Sequence, residues 1–301
     1  RYARVTGVQT CALPISTLEH VGSCTGGNTI PLDSEGRAYH FGCKEGEVAN
    51  QVLIMSSYQL AEKVSELFDK TEPVFHRESN RGYQTYTGLY NGKRISVVAF
   101  GIGFAMIDFL LRELRRITKG PLTFIELGAA PVISGELNEA IVSKDAVAVE
   151  IDYDNFAQKE LPYHLFKKPV PADEGLVNDI KKKLEKEGIK YREGRILSNP
   201  SFCAGISAPT LESGGVGCFD FKTKGLLEYV QKEAGPITSL EMDAYPLLWT
   251  SLRATDKNIK SAVVSLSAAT LDGKLMEDAD INKSLLEIAP KLMSILADYT
   301  K

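Results

Sequence analysis

Short apolar runs alternate with amphipathic segments along most of the chain, and this alternation constrains its fold more than any other feature. Apolar runs of strand length lie at residues 51–56, 122–127, 140–150, 195–198, 237–241 and 259–267. Apolar residues at helical spacing lie at residues 58–69, 106–118, 174–187, 223–234, 244–254 and 282–298. Strands that alternate with helices favour a sheet whose faces are covered by helices. We therefore predict an α/β fold with a mixed, largely parallel central sheet.

One pair of strands interrupts the alternation. Residues 82–101 read GYQTYTGLYNGKRISVVAFG, two β-rich runs on either side of Asn91-Gly92. That dipeptide tolerates the positive φ angles of a type I′ turn, so we predict a β-hairpin here. Residues 37–301 contain no internal repeat and no linker rich in Gly, Ser or Pro, which favours one domain.

The first 36 residues differ from the rest of the chain. Residues 5–15 read VTGVQTCALPI, a peptide that a widely used sequencing adapter would encode. We therefore expect residues 1–16 to be a non-native, adapter-derived tail, and a natural disordered tail is the alternative. Residues 22–36 are polar and rich in Gly and Ser, and we expect residues 17–36 to form a flexible leader.

Charge pattern and cysteine content exclude several classes of protein. The net charge is −4 with acids and bases interleaved, which argues against the basic face of a nucleic-acid-binding protein. No apolar stretch reaches the ~18 residues that a membrane span requires. The five cysteines are scattered, odd in number and without a CxxC pair, so neither a disulfide framework nor a zinc site is indicated. We expect a cytoplasmic protein with no metal, cofactor, nucleic-acid or membrane partner.

Two short segments are candidates for ligand binding. Gly101-Ile102-Gly103 lies between a predicted strand and a predicted helix, where it forms either a tight turn or a phosphate cradle. No third glycine and no GK[ST] follows, so a dinucleotide site and a P-loop are both rejected. In SLEMDAYPLLW (239–249), Glu241 and Asp243 share a face if the backbone is extended, and they would then bind neighbouring sugar hydroxyls. The alternative is that both acids stabilise the start of a helix.

Four segments together resemble the uridine phosphorylases of the nucleoside phosphorylase superfamily. They read YHFGCKEGEVANQVLIM (39–55), RGYQTYTGLYNGKRISVVAFGIG (81–103), FIELG (124–128) and LEMDAYPLL (240–248). Their order and spacing match along the chain from about residue 37 to its C-terminus. The resemblance implies a three-layer α/β/α fold with a mixed central sheet, and a dimer whose sites take residues from both subunits.

The resemblance also implies which residues bind the ribose. Glu241, Met242 and Asp243 match an acid–Met–acid segment that holds the sugar in this family, with the second glutamate shortened to aspartate. His40 matches a histidine that reaches the ribose 5′-hydroxyl from the neighbouring subunit. By the same resemblance, Phe202 stacks near the base, and Arg81 corresponds to a phosphate-binding arginine donated in trans.

The phosphate site departs from the family pattern. A Gly-Asp-Pro-x-Arg turn after the first strand is replaced by SSYQL (56–60), with Ser56 for glycine and Leu60 for arginine. Glu126 stands in place of a second phosphate-binding arginine, and Ala129 in place of a hydroxyl residue. Reversal of one charge repels phosphate, so we do not expect phosphate to bind in the ordinary way.

The base site departs as well. A Gln and Arg that read the base in this family fall on Ile206 and Ala208 in an ungapped alignment, and a further base-side arginine becomes Thr270. Because most of the subunit's own phosphate and base ligands are replaced while His40 and Arg81 remain, we expect lost or weak phosphorolysis. The expected role is assembly, as a homodimer or as a hetero-oligomer with an active paralogue.

Two active alternatives remain open at the level of the sequence. In a nucleoside hydrolase acting on a base other than uracil, water would replace phosphate and Glu126 would act as general base. In a divergent nucleoside phosphorylase, a rearranged loop would allow residual pentosyl transfer, with Arg94 or Arg112 supplying the missing charge. Each alternative retains the ribose of a nucleoside as the ligand.

Overall fold

The protein is described here by a computed structural model that covers residues 30–202, 215–216, 219–255 and 258–300. Its strands, in chain order, are β1 (Gln51–Met55), β2 (Phe75–Glu78), β3 (Gln84–Tyr90), β4 (Lys93–Ala99), β5 (Leu122–Val132), β6 (Ala140–Ile151), β7 (Tyr163–Pro171), β8 (Tyr191–Ser198), β9 (Gly215–Val216), β10 (Phe219–Asp220), β11 (Ser239–Glu241) and β12 (Ile259–Thr270). Its helices are α1 (Tyr58–Ser65), α2 (Phe104–Ile117), α3 (Glu174–Lys186), α4 (Leu226–Ala234), α5 (Ala244–Leu252) and α6 (Asp278–Asp298).

Ten of these strands form one mixed sheet, as the alternating sequence predicts. Its order is β11-β8-β6-β12-β5-β1-β4-β3-β2, and β7 pairs with β6. The central strands β4, β1, β5 and β12 are parallel, whereas β2–β3, β3–β4, β6–β7 and β6–β12 are antiparallel. Strand β11 pairs with both β8 and β5, so five strands close into a ring. That closure brings distant parts of the chain together. We call the space around the carboxylates of Glu126, Glu241 and Asp243 the cleft.

Helices on the two faces of the sheet complete the predicted three-layer arrangement. Helices α1 and α3 both pack against α6, and α2 packs against α5. Apolar residues of the central strands and of the inner helix faces form a continuous buried core; examples are Leu53, Phe124, Val263, Leu110 and Leu292. Burial of each such side chain contributes roughly 1.5–3 kcal/mol. The core therefore fixes the strand ends that build the cleft.

The predicted hairpin is confirmed. Strands β3 and β4 are antiparallel, with Tyr90 opposite Lys93. Asn91 and Gly92 have φ angles of 52° and 72°, which are the values that a type I′ turn requires at both central positions. Asp69 accepts hydrogen bonds from the backbone N–H groups of Asn91 (3.2 Å) and Gly92 (2.7 Å), and so stabilises the turn.

Strand β5 is longer than its sequence suggests. We expected an end near Leu127 and a turn at Gly128, but the strand continues through Gly128 to Val132. Strand β12 also continues beyond its predicted end and pairs with β5 along this stretch, for example Ser265 with Gly128. Small residues are typical of loops, but here pairing with β12 holds them in the sheet. Glu126 therefore lies inside a strand and not at its end.

The sequence also gave no signal for strands β2 and β7. Both are rich in charged or polar residues, reading FHRE and YHLFKKPVP. Strand β2 lies at the edge of the sheet and β7 pairs only with β6, so each has one unpaired side that tolerates charged residues. The apolar pattern used to find buried strands misses such strands.

The described chain begins with a turn that packs on the core. Leu32 pairs with Ala38, and the Oδ1 of Asp33 accepts hydrogen bonds from the N–H groups of Glu35 and Arg37, both at 2.9 Å. Leu32 contacts the buried core, so the folded structure includes residues assigned by sequence to the leader. None of the described helices combines the length and the apolar character that crossing a bilayer would require.

Candidate functional site

Glu126 is a buried carboxylate at the centre of the sheet. Strand register places it between Ile54 of β1 and Val263 of β12. It is only 6% exposed, and its Oε2 has no hydrogen-bond partner among the described residues. Buried polar groups nearly always have partners, so an unpartnered carboxylate oxygen is a candidate ligand-binding atom.

Glu241 ends strand β11 and caps the helix that follows. Its carboxylate accepts hydrogen bonds from the N–H groups of Asp243 and, at 2.7 Å, Ala244, at the start of α5. The hydroxyl of Ser198, at the end of β8, donates to its other oxygen. The helix-start interpretation of this acid is therefore correct for Glu241, although the same carboxylate also borders Glu126.

Asp243 links two helix starts. It directly precedes α5, but its Oδ1 accepts a hydrogen bond at 2.5 Å from the N–H of Gly103, which precedes α2. Gly103 has a φ of 99°, a conformation that side chains other than glycine adopt only with strain. The Gly101–Gly103 turn thus presents a backbone N–H to a carboxylate.

Glu126, Glu241 and Asp243 converge in one cluster. One carboxylate oxygen from each lies within 4.8 Å of the others. Burial, followed by the charges of Asp243 and Glu241, raises the pKa of Glu126 well above its usual value. Burial is also the largest cause that raises the pKa of Glu241 to about 7 and that of Asp243 to about 8.

Simple electrostatics explains why this acid cluster holds protons. At such separations two unit charges repel by roughly 3–4 kcal/mol at an effective dielectric constant of about 20. Three ionised carboxylates would therefore cost on the order of 10 kcal/mol together. No basic side chain among the described residues contributes to the pKa of Glu126 or Asp243, so the repulsion favours the binding of protons or of a cation.

The loop that corresponds to the family's phosphate-binding turn, residues 56–60, carries no positively charged group. The hydroxyl of Ser57 accepts the N–H of Leu60 and begins α1, and Leu60 is 3% exposed and packs into the core. Tyr58 donates a hydrogen bond from its hydroxyl to the carbonyl of Gly82 at 2.7 Å. That hydroxyl lies 3.0 Å from where a Cβ on Gly101 would stand, so the phenol fills the space between these loops.

Neither arginine considered as a substitute lies in the cleft. Arg94 donates hydrogen bonds to the carbonyls of Gly46 and Val48. It lies near the start of β4, roughly 20 Å along the strand from Gly101. Arg112 pairs with Asp108 on the surface of α2, about 13 Å along the helix from its start.

The two residues expected to act in trans lie close together on one surface. His40 stacks on Phe109 with ring centroids 4.0 Å apart, and its Nδ1 lies 2.5 Å from Glu113. The guanidinium of Arg81 lies 5.7 Å from the ring centroid of Tyr39, which meets His40 edge to face. We call Tyr39, His40, Arg81 and Phe109 the aromatic patch.

The expected base-binding residues are described only in part. Phe202 is 53% exposed, and Met242 is partly buried against a second core cluster. Ile206 and Ala208 lie outside the described residues. Thr270 ends β12 and binds Asp272 through its hydroxyl, away from the three carboxylates.

Sequence reasoning missed three groups that position the site. Ser198 donates to Glu241 and accepts the N–H of Tyr245 at 2.9 Å, so it joins β8 to α5. The N–H of Gly103 orients Asp243. Glu113 accepts the N–H groups of His40 and Phe41. Glu113 left a signal in the sequence as a charge on the apolar face of α2, and Gly103 left one as part of the Gly101-Ile102-Gly103 turn.

Comparison with known proteins identifies relatives over most of the chain. Residues 52–282 match the family described as the phosphorylase superfamily. The chain is 31% identical over 220 residues to a uridine phosphorylase from Thermococcus kodakarensis. The aligned region covers 72% of this chain and 73% of that protein. It is 27% identical over 179 residues to a DeoD-type purine nucleoside phosphorylase from Streptococcus pyogenes, which covers 59% of this chain and 72% of that protein.

Solved structures share the fold. A chain from a study of two uridine phosphorylases of the oomycete Phytophthora capsici matches with a TM-score of 0.80 at 23% identity, covering 90% of this chain and 97% of that chain. A Trypanosoma brucei nucleoside phosphorylase with uridine phosphorylase activity matches with a TM-score of 0.67 at 16% identity, covering 88% and 99%. These likenesses confirm the predicted mixed α/β fold.

Proposed function

The chain belongs to the phosphorylase superfamily and is uridine phosphorylase-like, and from this premise we propose that it binds the ribose of a nucleoside in a cleft that no longer uses phosphate efficiently. Phosphorolysis is lost or weak. The protein acts in the cytoplasm as a subunit, paired with itself or with an active paralogue whose site it helps to complete.

The observation that carries this proposal is the cluster of Glu126 with Glu241 and Asp243. A carboxylate at position 126 stands where the resemblance implies an arginine against phosphate. A charge pair at about 4 Å is worth roughly 4 kcal/mol at an effective dielectric constant of 20. Reversal of one sign therefore changes the interaction with phosphate by up to ~8 kcal/mol, and Leu60 removes a second attraction.

Protonation of Glu126 does not restore phosphate binding. A neutral carboxyl group offers one O–H donor, whereas a guanidinium offers five donors and a full charge. The aliphatic side chain of Leu60 is buried and provides no donor. Arg94 and Arg112 have partners elsewhere, which argues against a divergent phosphorylase that recruits either one.

The aromatic patch supports the assembly role. Tyr39 and Phe109 are 36% and 38% exposed, and the guanidinium of Arg81 lies over one of these rings. Aromatic residues and arginine are enriched in protein–protein interfaces. His40 contacts the second and third turns of α2, about 9–15 Å from the Gly103 end of that helix, so it is better placed to serve a neighbour than its own cleft.

Nucleoside binding can be tested by calorimetric titration with uridine and inosine. We expect at least one of them to bind the full-length protein at pH 9, where Asp243 is largely ionised, and Asp243→Asn to weaken binding at least tenfold there, because a charged acceptor of a sugar hydroxyl is lost. The amide oxygen still accepts the N–H of Gly103, so the fold is retained. No binding of either nucleoside at millimolar concentration would refute the proposal.

A nucleoside hydrolase is the second candidate, and the unpartnered oxygen of Glu126 favours it. Beside the acid pair expected to hold the ribose, this carboxylate is placed to accept a proton from water that attacks the sugar. Free ribose would then form without phosphate, and Glu126→Gln would abolish its release. Release of ribose that is unchanged in Glu126→Gln would exclude this role for the residue.

A further inference from the structure

We propose that Glu126, Glu241 and Asp243 form a binding site for one divalent cation that prefers oxygen ligands, such as Ca²⁺ or Mn²⁺. This site goes beyond the proposed function, because the ion would bind whether or not a nucleoside is cleaved. It stands on the geometry of the three carboxylates, on the unsatisfied oxygen of Glu126 and on the net charge of the cleft.

The oxygen atoms are spaced as cation ligands are. Calcium–oxygen distances are about 2.3–2.6 Å, so two ligand oxygens on one ion lie at most about 5 Å apart. The three carboxylate oxygens of the cluster fall within 4.8 Å of one another. An ion at their centre reaches all three after small side-chain rotations.

Each carboxylate retains an oxygen or a lone pair for the ion. Oε2 of Glu126 has no hydrogen-bond partner among the described residues. Asp243 uses its Oδ1 to accept the N–H of Gly103. Both oxygens of Glu241 accept hydrogen bonds, and each ionised carboxylate oxygen can accept a further interaction.

Glu126 provides the observation that separates this cluster from ordinary acidic groups. Its side chain comes from the centre of the sheet, is more than nine-tenths buried and has an unpartnered oxygen among the described residues, and its carboxylate lies within 4.8 Å of two others. A buried polar atom without a partner is costly unless a ligand occupies the site. Within the part of the chain that the structure describes, no basic residue contributes to the electrostatics of Glu126 or Asp243, so the described residues supply no counter-ion there.

The summed charge of the cleft matches a divalent ion. Three ionised carboxylates contribute three negative charges. The starts of α2 and α5 both face the cluster through the N–H groups of Gly103, Asp243 and Ala244, and each helix start carries roughly half a positive charge. The remaining charge is about −2, which one divalent cation neutralises and a monovalent cation does not.

The test is a calorimetric titration of chelator-treated, full-length protein with Ca²⁺ and with Mn²⁺ at pH 8, where protons compete less for the carboxylates than at neutral pH. We expect one ion to bind per chain and the midpoint of thermal unfolding to rise with ion concentration. Glu126→Gln should weaken binding at least tenfold. Glu160→Gln, which alters an exposed carboxylate, should leave binding unchanged.

Two results would overturn the proposal. One is the absence of binding to the wild-type protein at millimolar Ca²⁺ and Mn²⁺. The other is equal affinity of the wild type and Glu126→Gln, which would place the ion elsewhere. If Glu126→Gln does not fold, Asp243→Asn serves as the second variant, and the same tenfold loss is expected. Neither result depends on nucleoside binding, so this test and that of the proposed function can fail separately.

Discussion

At the scale of single residues, Glu126 determines what the cleft can bind. An arginine at this strand position would attract an anion, whereas a buried carboxylate attracts protons, cations and hydroxyl groups. Its two acidic neighbours strengthen that preference, because each adds a negative charge within 4.8 Å. We therefore propose that a carboxylate at this position changes the chemical class of ligand while the fold is retained.

The cluster also predicts how stability depends on pH. Burial raises the pKa values of these carboxyl groups above about 4, their usual value when unfolded, to about 7 for Glu241 and about 8 for Asp243. The folded state then binds protons more tightly than the unfolded state, so the stability that this cluster contributes is fully present below about pH 4 and is lost as the pH rises to about 8. Groups with lowered pKa values, such as Asp152, change the stability only at more acidic pH.

Urea unfolding of chelator-treated protein at several pH values measures this effect. The free energy of unfolding should decrease from pH 5 to pH 8, by up to about 1.4 kcal/mol per pH unit for each proton released. Glu126→Gln should flatten the profile and be more stable than the wild type at pH 8, because one repulsive charge is lost. Parallel profiles for the two proteins would show that the cluster is not ionising as described.

At the scale of elements, Glu113 fixes the first described segment to α2. It is 2% exposed and accepts the N–H groups of His40 (3.0 Å) and Phe41 (2.7 Å) as well as contacting the His40 ring. Glu113→Ala leaves buried donors without partners, so we expect the free energy of unfolding to fall by about 2–4 kcal/mol. Glu62→Ala, on the exposed face of α1, should change it by less than about 0.5 kcal/mol. Equal effects of the two variants in urea unfolding would contradict this role.

The sequence predicted the helices and strands more completely than it predicted the contacts between side chains. Strand–helix alternation located the central strands and all six described helices, and Asn91-Gly92 located the hairpin, because these signals are local. The continuation of β5 through Gly128 was missed, since pairing with β12 outweighs the preference of small residues for loops. The grouping of Glu126 with Glu241 rested on the family resemblance. Ser198 was not found, because it meets Glu241 only after β8 pairs with β11.

At the scale of the whole molecule, ring closure through β11 assembles the cleft from distant segments. Strand β11 pairs with β8 on one side and β5 on the other, and it thereby brings Glu241 and Asp243 to the strand that carries Glu126. The aromatic patch lies along α2, whose start faces the same cleft. A neighbouring subunit bound at this patch would therefore lie beside α2.

Light scattering at tens of micromolar protein tests the assembly. We expect twice the 33.0 kDa mass of one chain, or a stable complex with a co-expressed paralogue. Phe109→Glu should dissociate the assembly, because it places a charge in the interface core. Tyr229→Glu, a change at a similarly exposed aromatic residue on α4, should not. A mass of one chain only, with no paralogue bound, would refute the prediction.

The effect of Glu126 on phosphate use is tested most directly by the rate at which ribose 1-phosphate forms from uridine as the phosphate concentration is raised. Glu126 in place of a phosphate-binding arginine predicts that added phosphate does not accelerate uridine cleavage, and that ribose 1-phosphate remains undetectable or forms very slowly. A rate that rises with phosphate and saturates, as in an ordinary uridine phosphorylase, would contradict the proposal that Glu126 prevents phosphate from binding.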